Sequence, residues 1–452
     1  MVRSLQISLL ILLILPLQAL SSELNIGSSY HPVGSGARAI GMGGAFIGVA
    51  DDATAASWNP GGLVQLEKSE ISFVGAFLNR NDDYSKASQE LDPQTIKNNQ
   101  LNYFSLSYCF SYLQRNMVLS MNYQNLYDLN REFRNLPISI TGTGNTNLIE
   151  YSVNIYEAVH EGNLSAIGLA YSIEVTPQFS FGITYNFWDD DIAKSSWNTT
   201  YISKTKTSAN GNDFSTTDII SKYEYEINNG FNANIGFLWH ISPAFTLGGV
   251  YKTRFTTDLK QKSITHTLTT NHFDNNSMTA HQKIEEKRND LTMPTSYGLG
   301  LAWKISRLFT LSMDIYRTEW DEFIRKTDLG EELSPLISNA DLNNDQQADS
   351  TPTIKPTYQV RFGSEYLVLN KANQTIIPFR FGLFYDPIPG KGYPDRALGF
   401  SLGSGFSKPP YNFDIAFQYR QADDISGAFP DNANLNYDIN ESILYTSFIY
   451  HF

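Results

Sequence analysis

The chain of 452 residues has a single cysteine, Cys109, so no intrachain disulfide is possible and a disulfide-stapled secreted scaffold is excluded. Basic character is scarce too: 33 Lys and Arg against 46 Asp and Glu leave a formal net charge of −13. Nucleic acid is therefore not an expected partner, because neutralising phosphates takes a basic face. Apolar runs are missing except near the start, where one extends from Leu5 to Leu20 after Arg3 and ends in small residues up to Ser22. This pattern predicts a signal peptide over residues 1–22, and the run is too short for a convincing membrane helix. The histidines (His31, His160, His240, His266, His272, His281 and His451) stand at no metal-ligand spacing, so neither a metal nor a cofactor is expected.

What the chain does have is aromatics, 13% of it with 26 Tyr and 28 Phe, dispersed by alternation. Phe179, Phe181, Ile183, Tyr185 and Phe187 alternate with Ser180, Gly182, Thr184 and Asn186. Strand side chains point to opposite faces with period two, so one face of this segment is greasy and the other small or polar. The pattern returns in Phe231–Trp239, Tyr297–Ile305 and Phe413–Tyr419. About ten tilted residues cover roughly 25 Å, the apolar band of an outer-membrane barrel. A polar face made of Gly, Ser, Thr and Asn suits a lumen; a solvated exterior would carry Lys and Glu.

Strands are expected near 69–79, 100–112, 115–127, 162–174, 178–190, 228–241, 244–257, 294–305, 308–320, 356–369, 375–386, 395–407, 410–422 and 440–452. Their links alternate between tight ones, such as Leu113-Gln114 and Ser242-Pro243, and long polar ones, such as Asp191 to Asn229, Lys260 to Asp290 and Glu322 to Lys355. Short turns on one side and long loops on the other are the asymmetry of a bacterial barrel. The expected fold is all-β, a transmembrane antiparallel barrel of about 14 strands in the bacterial outer membrane, among lipid and lipopolysaccharide. The last strand places Phe448, Tyr450 and Phe452 on one face, the terminal signature read by the barrel assembly machinery.

Three motifs carry competing chemistry. Gly34-x-Gly36-x-x-Ala39 matches a dinucleotide fingerprint, but Ser28 to Pro32 before it do not read as a buried strand, so the nucleotide reading falls. Gly399-Phe400-Ser401-Leu402-Gly403 matches a nucleophile elbow, which needs a strand-to-helix turn, whereas here Ser401 sits mid-strand on the lumen face. Asp341, Asn343, Asp345 and Asp349 resemble the start of a calcium loop that lacks its glycine and its closing glutamate. No enzyme is expected. Charges at lumen parity are more informative: Asp314 on one strand, Arg361 and Glu365 on the next, and Arg380 on the third. Two readings stay open for them, a salt-bridge network and arginines that meet a ligand carboxylate.

Gly36-Ala37-Arg38-Ala39, Gly41-Met42-Gly43-Gly44-Ala45, Asp51-Asp52-Ala53 and Trp58-Asn59-Pro60-Gly61-Gly62-Leu63 precede the barrel. Together with Pro294–Trp303, Trp320 and Phe379-Arg380-Phe381-Gly382, they make the chain resemble the FadL outer-membrane transporter family. The resemblance implies passive uptake of hydrophobic compounds such as long-chain fatty acids. It also implies that residues 23–67 form a hatch inside the barrel of residues 68–452, with Gly41, Gly43, Gly44, Asn59, Pro60 and Gly61 among its key positions. Small residues let such a segment fold tightly against the wall, with Asn59 to Gly62 turning into the first strand. The alternative is a non-transporting scaffold or a secretion-associated barrel that binds exported proteins at its loops.

Overall fold

The computed structural model describes residues 34–452 except 87–88, 91–92, 144–148, 210–211, 273–275, 329, 331, 334–353, 390–393, 424 and 426–434. The expected signal peptide and the aspartate-rich segment 341–349 lie outside the described residues.

Fourteen strands form the ring: β1 Glu70–Lys86, β2 Gln94–Tyr112, β3 Arg115–Asp128, β4 Ile149–Thr176, β5 Phe179–Trp188, β6 Gly230–His240 and β7 Phe245–Lys252, then β8 Ser296–Lys304, β9 Phe309–Thr318, β10 Thr357–Asn370, β11 Thr375–Tyr385, β12 Ala397–Lys408, β13 Tyr411–Ala422 and β14 Leu435–His451. Each pairs antiparallel with the next. The last closes on the first, with Phe73 opposite Phe448 and Ile71 opposite Tyr450. Closure removes both sheet edges, which is what lets strands cross a bilayer whose core offers no hydrogen bonds.

The alternation read from the sequence becomes the two faces of this ring. Along β5, Ser180, Gly182, Thr184 and Asn186 are buried inward while Phe181 and Tyr185 are exposed outward. Exposed aromatics stand near both ends of the strands, Trp239, Phe245, Trp303, Phe406 and Tyr411 by the tight links and Phe231, Tyr251, Tyr297 and Tyr358 by the long ones. Such rings suit the membrane interface, being apolar with a polar edge.

The long polar links depart from expectation. Segments Ser195–Ala209 and Asn212–Asn228 form one hairpin, and Phe255–Asn271 and Ser277–Met293 another. Both join the extension of β4 in one continuous wall. Seventeen residues of strand reach about 56 Å, roughly twice the apolar band, so this wall stands beyond the membrane. Its strands escape a hydropathy reading because they need no lipid face: Thr199, Ser203, Thr205 and Thr207 alternate with Thr200, Lys204 and Lys206. Threonine and tyrosine still favour strand, and their period of two was the available signal.

Residues 34–66 contain two short helices, α1 Ala37–Gly41 and α2 Ala55–Trp58, and a 3-10 turn Pro60–Gln65. The stretch expected as a simple turn into β1 is thus helical. Asn59 caps it by accepting from the Gly61 N–H at 3.1 Å, and its amide donates to the carbonyls of Ile47 and Phe237 at 2.8 and 2.9 Å. Nearly every residue of this N-terminal segment is buried, although the segment is only about thirty residues long. A piece that short cannot bury itself, so the inner faces of the strands must cover it.

Candidate functional site

The N-terminal segment meets the wall through backbone groups. The N–H groups of Phe46 and Ile47 both donate to one Asp314 oxygen, at 2.7 and 2.8 Å. Ser401 Oγ accepts from Gly43 N at 2.9 Å and donates to Gly41 O at 3.1 Å. Thr184 and Tyr103 donate to the carbonyls of Ala56 and Ala53, each at 2.7 Å. The approach is close because the wall is notched with glycine. A side chain on Gly182, Gly248, Gly363 or Gly382 would collide with the backbone of Pro60, Ile47, Met42 or Gly43. Two of these notches, Gly363 and Gly382, stand directly opposite each other on β10 and β11. Gly43 and Gly44 have φ of +69° and +72°, a region that favours glycine.

Charges organise the side nearer the tight links. Arg380 Nε lies 2.6 Å from Glu365 and its Nη1 lies 2.6 Å from Asp414. Arg38 of α1 reaches the same Glu365 at 3.0 Å and Asp51 at 2.6 Å. A carboxylate shared by two arginines thereby joins the N-terminal segment to β10 and β11. These groups line a cavity with Glu70, Asp52 and His451. Burial pushes the Asp52 carboxyl up to about 6, against the pull of Arg38 and of the Thr54 hydrogen bonds.

A second cavity lies across the segment, toward the long-link ends of the strands. Its lining is mixed: Ile40, Trp58, Ala76, Leu78 and Ile443 are apolar, and Arg361, Lys252, Tyr316, Asp386, Arg420 and Glu441 are polar or charged. Arg361 donates to Gly43 O at 3.0 Å and to Asp386 at 3.2 Å. Lys252 sits over the Tyr316 ring at 5.6 Å, and no ion-pair partner for it is present among the described residues. Tyr316 Oη is buried with no hydrogen-bond partner there.

The four charges singled out in the sequence thus fall into three places. Glu365 and Arg380 meet as adjacent-strand partners, and Arg361 lines the other cavity, paired with Asp386. Asp314 holds backbone N–H groups and leaves the arginines to other carboxylates, because it faces the chain reversal at Phe46-Ile47. Gly41, Gly43 and Gly44 lie against β10–β12, while Asn59, Pro60 and Gly61 lie against β5 and β6. Phe448, Tyr450 and Phe452 point outward, with the Tyr411 ring stacked 5.9 Å from Phe448 and tilted 5.4 Å from Tyr450. Sequence reading missed Arg38, Asp386, Asp414 and Lys252. Asp414 had a usable signal, its inward parity between Phe413 and Ile415, whereas Arg38 sits in a helix outside any strand pattern.

A family model described as outer membrane protein transport protein (OMPP1/FadL/TodX) matches residues 33–426. No curated protein matches the sequence. Among solved structures, a FadL homologue of Pseudomonas aeruginosa aligns over 94% of this chain and 100% of its own, with a TM-score of 0.61 at 13% identity. The toluene transporter TodX of Pseudomonas putida aligns over 94% and 100%, with a TM-score of 0.54 at 12% identity. The monoaromatic hydrocarbon channel CymD aligns over 94% and 99%, with a TM-score of 0.52 at 14% identity. At such identities the likeness is one of fold.

Proposed function

The chain belongs to the outer membrane protein transport family OMPP1/FadL/TodX, and on that premise we propose that it carries amphiphiles with one anionic end, long-chain fatty acids above all. It is an outer-membrane channel for hydrophobic compounds and not an enzyme; the elbow-like Ser401 has its hydroxyl engaged with Gly41 and Gly43. The observation that carries the cargo reading is the mixed lining of this second cavity. An acyl chain finds Ile40, Trp58, Leu78 and Ile443 there, and a carboxylate finds Lys252, Tyr316 and Arg361. Charge-assisted hydrogen bonds of this kind contribute roughly 1.5–3 kcal/mol each when well formed.

In this reading residues 34–66 are the hatch between two cavities, and Arg361 belongs to both cargo and hatch because it lines the first and holds Gly43. Arg380, locked between Glu365 and Asp414 across the segment from that cavity, anchors the hatch and takes no part in cargo binding. Passage needs no energy source: displacement of the hatch opens a path down the cargo's own gradient. Lipid and lipopolysaccharide surround the exposed outer face, and the barrel assembly machinery reads Phe448, Tyr450 and Phe452 during insertion. Mass spectrometry of molecules extracted from protein purified out of native membranes tests the reading. Fatty acids or similar anionic amphiphiles, enriched over a control barrel, are the expected result. Only uncharged hydrocarbons would overturn it.

A further inference from the structure

Strands β7 to β10 place a row of inward side chains at one level of the barrel. Lys252 stands opposite Ser296, Ser296 opposite Thr318, and Thr318 opposite Thr357. The first three line the second cavity. Thr357 is engaged by the Trp320 indole N–H at 3.0 Å. Ser296 and Thr318 are 9% and 7% exposed, and neither hydroxyl has a hydrogen-bond partner among the described residues. Two residues nearer the tight link on β9, Tyr316 lies under Lys252, in room left by Gly298 on the neighbouring strand. A Cβ on Gly298 would press on the Tyr316 ring at 2.7 Å.

The charges of this cavity fix how much anion it takes. Asp386 is held by Arg361 and Arg420 at 3.2 and 3.4 Å, and Glu441 by Arg420 at 2.7 Å. Among the described residues Lys252 is thus the cation of the lining that has no carboxylate of its own. One uncompensated positive charge matches a monoanion such as a carboxylate, whereas a dianionic phosphate would bring a charge with no counterpart.

A carboxylate only accepts hydrogen bonds, and Lys252, Tyr316 and Arg361 already supply its donors. Ser296 and Thr318 are then left facing the first carbons of the acyl chain. Buried hydroxyls set against methylenes lose the hydrogen bonds they make with water, which weakens binding. A cargo hydroxyl at that place restores them, because it donates and accepts as they do. Ser296 is one strand spacing from Lys252, about 4.8 Å, and that suits a hydroxyl one or two carbons from the carboxylate.

We propose, resting on the fatty-acid reading of the same cavity, that the preferred cargo is a fatty acid hydroxylated next to its carboxylate, with that hydroxyl held between Ser296 and Thr318. The test is displacement of a fluorescent acyl probe from the full chain in lipid nanodiscs by palmitic, β-hydroxypalmitic and ω-hydroxypalmitic acid and by palmityl phosphate. The β-hydroxy acid should bind about tenfold tighter than the other two acids, the effect of one added buried hydrogen bond. In the double variant Ser296→Ala, Thr318→Val that ratio should fall to about one, with heat-modified gel migration confirming a folded barrel. Equal binding of palmitic and β-hydroxypalmitic acid by the intact protein leaves the two hydroxyls to water and overturns the proposal, while the fatty-acid reading stands. A preference that survives in the folded double variant overturns it too, as does tighter binding of palmityl phosphate. Failure of all three acids to displace the probe would instead remove the fatty-acid reading, and this proposal with it.

Discussion

Arg38 and Arg380 grip one carboxylate between them: Glu365 lies 3.0 Å from the first and 2.6 Å from the second. One arginine belongs to the N-terminal segment and the other to the barrel wall, so among the described residues the segment's ion pair with the wall passes through a single side chain. Breaking a buried pair by removing one partner typically costs 3–5 kcal/mol, because the remaining charge stays desolvated. Glu365→Gln should therefore loosen residues 34–66 without unfolding the barrel, whose ladder of strand hydrogen bonds is made by backbone and not by this side chain. Hydrogen exchange should quicken in α1 and stay slow in β10 and β11. Uniformly slow exchange would show that the backbone contacts alone hold the segment.

The glycine notches predict a steric counterpart. A Cβ on Gly382 would meet the backbone of Gly43, and Gly43 itself has positive φ. Gly382→Val and Gly43→Val should each push the segment from its seat, raising single-channel conductance while the barrel still assembles. The two should not add, since both break one contact. Failure of the barrel to assemble in either variant would count against the segment as a separate hatch.

Cargo charge should be readable at Arg361 and Lys252. Replacing either by Gln removes one charge-assisted contact, so binding of a long-chain fatty acid should weaken by about ten- to a hundredfold. An alcohol of equal length should be barely affected. Equal losses for acid and alcohol would assign both residues to structure alone.

Asp52 gives the segment a pH dependence. Its folded carboxyl titrates at about 6, above the usual value near 3.9, so the folded state keeps a proton that the free segment gives up. Stability of the docked segment should fall as pH rises from roughly 4 to 6 and stay level above, a loss of about 3 kcal/mol at most. Asp52→Asn should flatten that window and dock more tightly at pH 7, since its amide oxygen still accepts from Thr54. The check is exchange protection of residues 34–66 at several pH values, corrected for intrinsic rates.

Removal of the terminal ring, Phe452→Ser, should slow insertion into membranes far more than it alters the finished barrel. Phe452 is exposed, and among the described residues its ring stacks against Tyr450 alone, at 6.4 Å, so the side chain contributes little to the folded wall. Pulse-chase assembly kinetics separate the two effects; unchanged kinetics would remove the assembly role.

Sequence alone determined the ring. Period-two alternation is a local property, so Phe181 outward and Thr184 inward follow from strand geometry once lipid is the solvent outside, and all fourteen strands were legible for that reason. The wall beyond the membrane was not, because strands such as Ser195–Ala209 have water on their outer side and carry no apolar stripe. The glycines of residues 34–66 announced a tightly folded segment. Only the tertiary structure decided where its turns sit, because Gly43 faces Gly382 across more than three hundred residues of chain. The same holds for charge: inward parity named Glu365 and Arg380, but which carboxylate meets which arginine depends on strand register, tilt and the path of the segment between them. Asp314 shows the limit, since its parity suggested an ion pair and its position against two backbone N–H groups made it a clasp.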